Sequence, residues 1–320
     1  MDPIDHRLLD EFQRDFPLVS QPFIVIAEAL GITEAQVLAR LAALQAAGRV
    51  ARVGATVRPN TVGASTLAAL AVPQDRIAEV AALVGAEVGV NHSYLREDDW
   101  NLWFVATAPC TQALGESLQR IAQKTGLRVL DLPLMRAFNI DLGFRLGGTR
   151  VPLGLDAGAD PTVLRDGDRP LLQVLAQGLP LVSRPFAHVL DWPEAAVLAR
   201  VRALAAARVL TRVGVIVRHR AIGWSANAMV VWDVPEAGIE AAGRALAAHP
   251  GVTLCYQRRT VPGLWPYALF SMIHGQSRAQ ALSVLHQAQT LPTLSGLRHK
   301  PLFSTHCFKQ TGALLHPEAA

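Results

Sequence analysis

His92, Tyr94 and Arg96 stand at i, i+2 and i+4, the last one residue past a stretch, Val88 to Leu95, that reads as a strand, so their side chains should share one sheet face. An imidazole able to give a proton near neutral pH, a phenol and a permanently charged fork for carboxylates would then meet in one pocket. Later in the chain the corresponding face reads Leu254, Tyr256 and Arg258. It keeps the phenol and the cation and puts an apolar group where the imidazole was, so proton transfer on this strand is expected from one copy only. His274 is the second candidate, closing the apolar run Leu269 to Ile273 just ahead of Gly275. Trp265, Pro266 and Tyr267 before it could form an apolar wall against a flat ligand, although an aromatic stripe more often packs a core.

These residues fall in a chain that repeats itself. Pro17-Leu18-Val19-Ser20-Gln21-Pro22-Phe23 returns as Pro180-Leu181-Val182-Ser183-Arg184-Pro185-Phe186. Arg52-Val53-Gly54-Ala55-Thr56-Val57-Arg58 returns as Arg212-Val213-Gly214-Val215-Ile216-Val217-Arg218. Two copies of one module can build a dimer's pseudo-twofold axis inside one polypeptide, leaving either a monomer with an internal pseudo-dimer or a homodimer of that unit. Function is expected where the copies differ.

The first copy opens with helical spacing at Leu8, Leu9 and Phe12, a second apolar stretch from Phe23 to Leu30, and a helix capped by Thr33 with Gln36 as its capping-box partner. Val37, Leu38, Leu41 and Leu44 give that helix its apolar face. Val50 to Val53 and Ala55 to Arg58 flank Gly54 as a hairpin, which makes three helices and a wing, a winged helix-turn-helix. The next segment reads β-α-β-β-α-β, the ferredoxin-like order, with helices over one sheet face and the other left for a partner or ligand. The fold class is therefore α+β in tandem duplication. The boundaries are a winged helix-turn-helix over 1–60, a ferredoxin-like module over 61–146, a linker over 147–170, the second pair over 171–220 and 221–312, and a tail over 313–320.

At 320 residues and 51% hydrophobic, the chain can bury several cores. Its three cysteines, Cys110, Cys255 and Cys307, lie far apart, so neither a disulfide framework nor a metal site is expected. No signal-peptide pattern and no membrane-length apolar run is present, and a cytoplasmic protein without membrane partners is expected. Thirty basic residues, mostly arginine, against 26 acidic ones leave a net charge of +4. That modest surplus suits an anionic ligand at least as well as nucleic acid.

With Ile4-Asp5 opening the first helix and Arg-Val-Gly-x-x-Val in the wing, the architecture resembles the Lrp/AsnC transcription regulators. Longer motifs narrow the likeness. Asn91-His92-Ser93-Tyr94-Leu95-Arg96 with Asn101-Leu102-Trp103-Phe104 resembles the D-type half of the siroheme decarboxylases. Cys255 to Arg259, Trp265 to Gly275 and Cys307-Phe308-Lys309-Gln310 resemble the L-type half. The resemblance implies a fused D–L enzyme of haem d1 biosynthesis that removes carbon dioxide from the C12 and C18 acetates of siroheme, giving 12,18-didecarboxysiroheme. It implies no added cofactor, since the iron enters with the substrate, and it allows other proteins of that pathway as partners.

On this reading His92 and His274 deliver protons. Tyr94 and Tyr256 line the ring edge, Trp265 walls it, and Arg96, Arg258, Arg58, Arg218, Arg136 and Lys309 hold the carboxylates of a ligand that carries eight of them. Arg58 and Arg218 close equivalent wing strands, whereas the copies do not match around Arg136 and Lys309. For any single arginine a surface ion pair is the commoner fate. The main alternative is a ligand-responsive DNA-binding regulator whose recognition helix, Glu34 to Ala47, offers Gln36 and Arg40, with Arg200, Arg202 and Arg208 in the second copy. A tetrapyrrole carrier without catalysis is the third.

Overall fold

A computed structural model describes residues 1–139 and 158–315. In its first copy the elements are α1 (Pro3–Glu11), α2 (Pro22–Leu30), α3 (Glu34–Ala46), β1 (Val50–Val57), β2 (Ala64–Leu70) and α4 (Ile77–Ala86). There follow β3 (Val90–Arg96), β4 (Leu102–Ala108), α5 (Thr111–Thr125) and β5 (Val129–Asn139). The second copy supplies α6 (Asp168–Gln177), α7 (Glu194–Ala206), β6 (Leu210–Val217), β7 (Ala226–Trp232) and α8 (Ile239–Ala248). It ends with β8 (Val252–Arg258), β9 (Leu269–Gly275), α9 (Arg278–Gln289) and β10 (His299–Gln310). The segment read as linker lies outside the described residues up to 157. Beyond that it holds a 3₁₀ turn at Pro161–Val163 and the start of α6. Of the tail, 316–320 lies outside the described residues.

The chain forms two compact units, one of helices with two strands and one of the remaining strands with their helices. In the first unit the capping box forms as the sequence requires: Thr33 Oγ1 accepts from the Gln36 amide while Gln36 Oε1 accepts from Thr33 N. Leu8, Leu9, Phe23, Ile26, Val37 and Leu41 are buried there, as are Leu171, Phe186, Val197 and Val201 from the other copy. The second copy departs from the first at its middle helix, which shrinks to a 3₁₀ turn, Pro185–His188, before Leu190 takes a left-handed backbone (φ 59°).

The wing hairpin expected at Gly54 does not form. β1 runs straight through that glycine and pairs antiparallel with β6, Gly54 opposite Gly214, so each copy lends one strand to a shared ribbon. The glycines serve close approach rather than a turn: a Cβ on Gly54 would lie 2.5 Å from the carbonyl oxygen of Leu175, and one on Gly214 would strike the Gln13 backbone.

In the second unit each copy folds in the β-α-β-β-α-β order, as two four-stranded sheets, β3-β4-β2-β5 and β8-β9-β7-β10. The face expected to await a partner meets the other copy. β5 pairs with β8 and β10 with β3, closing eight strands into a barrel without free edges. Period-two alternation then sorts the side chains. On β4, Leu102, Phe104 and Ala106 pack under α4 and α5, while Trp103 and Val105 point inward. The interior gathers Leu67, Leu130, Leu132, Met229, Phe270, Met272 and Leu302 around Trp103 and Trp265. Each such side chain fully buried is worth roughly 1.5–3 kcal/mol, so the interior fixes the strand register on which the polar residues depend.

Candidate active site

β3 brings His92, Tyr94 and Arg96 onto the inward face as the alternation required. The imidazole stacks on the Tyr94 ring with centroids 6.3 Å apart, and the Arg96 guanidinium carbon lies 5.5 Å from the same ring's centroid. His92 is half-buried, and its Nδ1–H donates to Asn91 Oδ1 at 2.6 Å, since that carbonyl oxygen can only accept. Asn91 Nδ2 in turn donates to Thr107 Oγ1 (3.3 Å). That contact orients the ring through Nδ1.

Arg96, two pleats along and buried, donates from Nη1 to the carbonyl of Leu302 (3.0 Å) and to Asn227 Oδ1 (3.3 Å), both from the second copy. Asn227 pairs with His274 across β7 and β9, and its Nδ2 donates to His274 Nε2 at 2.8 Å. On the other side of the ring, His274 Nδ1 lies 2.8 Å from Thr253 Oγ1, whose hydroxyl donates to the Met272 carbonyl (3.1 Å). Only one set of donor directions satisfies all four contacts: the hydroxyl accepts from Nδ1–H, and Nε2 carries the lone pair. Burial, and secondarily the Arg96 charge, lowers the His274 pKa from 6.5 to about 4. His274 is a neutral imidazole at neutral pH.

The matching residues of the second copy repeat half of this. Arg258 Nη1 donates to the carbonyl of Leu132 (2.8 Å) and its guanidinium carbon lies 4.7 Å from the Tyr256 ring centroid, as Arg96 does with Leu302 and Tyr94. Burial lowers the Arg258 pKa from its ordinary value. Tyr256 stacks on Phe270 at 6.3 Å. Trp265 is buried in the barrel interior, edge-on to Trp103 (5.3 Å) and to Tyr267 (5.0 Å). It packs as core, the alternative that the sequence left open beside an apolar wall for a flat ligand.

The remaining cations are placed elsewhere. Arg136 is exposed and paired with Glu240, its guanidinium over Phe138. Lys309 donates from Nζ to the Gly85 carbonyl (2.7 Å) at the end of α4, and burial lowers its pKa. Arg58 and Arg218 belong to the helical unit, at equivalent ends of β1 and β6. Arg58 N donates to the Val209 carbonyl and Arg218 N to that of Arg49, each at 2.8 Å. The structure thus groups His92, Tyr94, Arg96 and His274 with Tyr256, Arg258 and Trp265 in one barrel, and does not bring Arg136 or Lys309 to the same inward face.

Asn91, Asn227 and Thr253 were missed. A lone amide or hydroxyl on a strand carries no local signal, but comparison of paired positions does: where β7 and β9 place Asn227 opposite His274, β2 and β4 place Ser65 opposite Thr107. In the helical unit, three of the four arginines named for a DNA-reading helix are engaged internally, while Arg208 is exposed. Arg40 pairs with Asp2 (2.6 Å) and Asp5 (2.7 Å), Arg200 is buried against Asp168 (2.5 Å), and Arg202 donates to the Leu18 carbonyl (3.1 Å). Two surface grooves, of about 430 Å³ on α9 and about 530 Å³ beside Arg52 and His188, include none of the site residues above.

The family model described as the AsnC-like ligand binding domain matches residues 62–139 and 221–309, one span in each ferredoxin-like module. That described as the siroheme decarboxylase NirDL-like HTH domain matches residues 5–50. Fold and barrel therefore define an AsnC-like ligand-binding class fused to a helix-turn-helix segment. The siroheme decarboxylase NirDL subunit of Paracoccus pantotrophus is 64% identical over all of this chain and 99% of that relative. The crystal structure of the siroheme decarboxylase NirDL superposes with a TM-score of 0.68 at 30% identity, covering 97% of this chain and 93% of that one. The crystal structure of NirDL in co-complex with an iron-uroporphyrin III analogue superposes equally well (TM-score 0.68), at 29% identity over 98% of this chain and 94% of that one. The chain belongs to the siroheme decarboxylase NirDL family, and its chemistry is that of a carbon–carbon lyase.

Proposed function

We propose that the chain removes carbon dioxide from the C12 and C18 acetate side chains of siroheme, giving 12,18-didecarboxysiroheme for haem d1 synthesis, without an oxidant or a cofactor beyond the iron that arrives with the substrate. In each step the bond between the carboxyl carbon and the methylene breaks. The electron pair stays on the methylene, where the macrocycle spreads it, and one proton completes a methyl group. His92 supplies that proton through Nε2, with Asn91 fixing the ring. Arg96 and Arg258 hold carboxylates in fixed registers, each guanidinium beside the ring of Tyr94 or Tyr256. A positioned acid of this kind contributes typically about 100- to 10,000-fold.

The observation that carries this reading is the inward row on β3: an imidazole oriented through Nδ1 by Asn91, a phenol ring and a guanidinium on alternate residues of one strand. Binding of an iron-uroporphyrin III analogue by the similar NirDL structure supports an iron tetrapyrrole as the ligand. The experiment is anaerobic incubation of the purified protein with siroheme in deuterated water, followed by mass analysis. Loss of two carbon dioxide units with one deuterium in each new methyl is expected. Siroheme bound at unchanged mass would make the chain a carrier.

A further inference from the structure

We infer that His274 is a positioning residue rather than a proton donor: with Thr253 and Asn227 it forms a directional hydrogen-bond chain that aims the Arg96 guanidinium at a substrate carboxylate. The inference rests on the decarboxylase reading above and divides labour between its two histidines. Each contact in the chain has one allowed direction. Thr253 Oγ1 gives its proton to the Met272 carbonyl (3.1 Å) and so receives the His274 Nδ1–H (2.8 Å). His274 Nε2 must then accept, and it takes the Asn227 amide proton at 2.8 Å. That contact decides which end of the Asn227 amide faces which way, turning Oδ1 toward Arg96 Nη1 at 3.3 Å. The buried imidazole therefore sets the amide, and the amide sets the cation.

A neutral ring with both nitrogens engaged has no proton to spare except by forming imidazolate, and the nearby Arg96 charge opposes protonation at Nε2. His92 is placed differently. It is half-buried and its amide partner receives Nδ1–H, so protonation at Nε2 breaks no contact with Asn91. The internal duplication gives an independent comparison. Across from Thr253, Asn227 and His274, the first copy carries Asn91, Ser65 and Thr107 at the matching pairing positions, and Arg258 still finds the Leu132 carbonyl. The carbonyl contact is thus the shared anchor. The Asn227–His274 pair is an added steering device on Arg96 alone.

The test compares His274→Leu, His274→Gln and Asn227→Leu with the wild-type protein, using siroheme under anaerobic single- and multiple-turnover conditions. His274→Leu should raise KM by about tenfold or more, the range for losing a hydrogen bond to a charged group, with the single-turnover rate at saturation within about threefold of wild type. His274→Gln, which keeps an acceptor and a donor, should recover most of that KM. Asn227→Leu should reproduce the KM increase with His274 intact, and the acid limb of the rate–pH profile should stay in place in all three. A saturated rate in His274→Gln that falls by a hundredfold at unchanged KM, or a shifted acid limb, would overturn the inference in favour of proton donation. Failure of the wild-type protein to release carbon dioxide would instead remove the decarboxylase reading. In that event siroheme binding alone, unaltered in Asn227→Leu, would also defeat the aiming role.

Discussion

At one corner of the barrel Arg96 reaches across to the Leu302 carbonyl, and at the pseudo-equivalent corner Arg258 reaches across to that of Leu132, each over a tyrosine ring of its own strand. Duplication has kept these two cations in the same geometry. The polar residues have diverged between the copies: the second carries Asn227, His274 and Thr253, with Asn227 on Arg96, while the first carries Ser65, Thr107 and Asn91 at the matching positions, with His92 beside Asn91. A repeated fold supplies two buried cations in matching geometry at little cost in new structure. Unequal chemistry then arises from a few substitutions on strands whose register the packed interior already fixes.

The sharpest way to break this comparison is to remove one anchor at a time. Arg96→Ala should weaken siroheme binding by about 100-fold or more, because truncation removes a charged partner and leaves Asn227 Oδ1 and the Leu302 carbonyl without their donor, a loss of about 2–5 kcal/mol. Arg258→Ala, which strips a donor from the Leu132 carbonyl and a cation from the Tyr256 ring, should weaken it less. Equal losses measured by titration would mean that the Asn227 contact adds nothing.

Acid stability gives a second, slightly smaller contrast. His274 has a pKa of about 4 in the folded protein against 6.5 when unfolded, so the unfolded chain binds the proton more readily. The associated stability is complete above pH 6.5 and is lost as pH falls toward 4, by about 3 kcal/mol in full. Denaturant melts at pH 7 and pH 4.5 should therefore show a steeper loss for the wild-type protein than for His274→Gln. Parallel losses would mean that the imidazole is not held neutral.

In the helical unit, Gly54→Ala should cost about 1–3 kcal/mol in a thermal melt, because the new Cβ meets the Leu175 carbonyl oxygen. Smallest is Trp265→Phe, which keeps an aromatic wall but loses part of the edge contacts to Trp103 and Tyr267. A change of about 1 kcal/mol in stability is expected, with siroheme affinity barely moved.

The β-α-β-β-α-β order and the inward row on β3 were legible because alternation and helical periodicity are local properties of the chain. What that alternation faced was not. Whether the open sheet side meets solvent, a ligand or the other copy depends on pairings such as Leu134 with Arg258 and Ser304 with Arg96, which no single segment encodes. Gly54 was misread for the same reason. A glycine between two β-prone runs looks alike whether it bends the chain or lets Leu175 approach. His274 stands out in its family motif, but its neutrality comes from burial and the Arg96 charge, and its tautomer from Thr253 and Asn227, 21 and 47 residues away in sequence. Arg136 and Lys309 failed to join the inward face because Glu240 and the Gly85 carbonyl hold them.

The most direct measurement is the anaerobic single-turnover rate of His92→Ala on siroheme, with the product followed by mass and binding by the tetrapyrrole absorbance. Siroheme bound at near wild-type affinity but decarboxylated at least about 100-fold more slowly is the expected result. Two carbon dioxide units lost at the wild-type rate would contradict proton delivery by this imidazole.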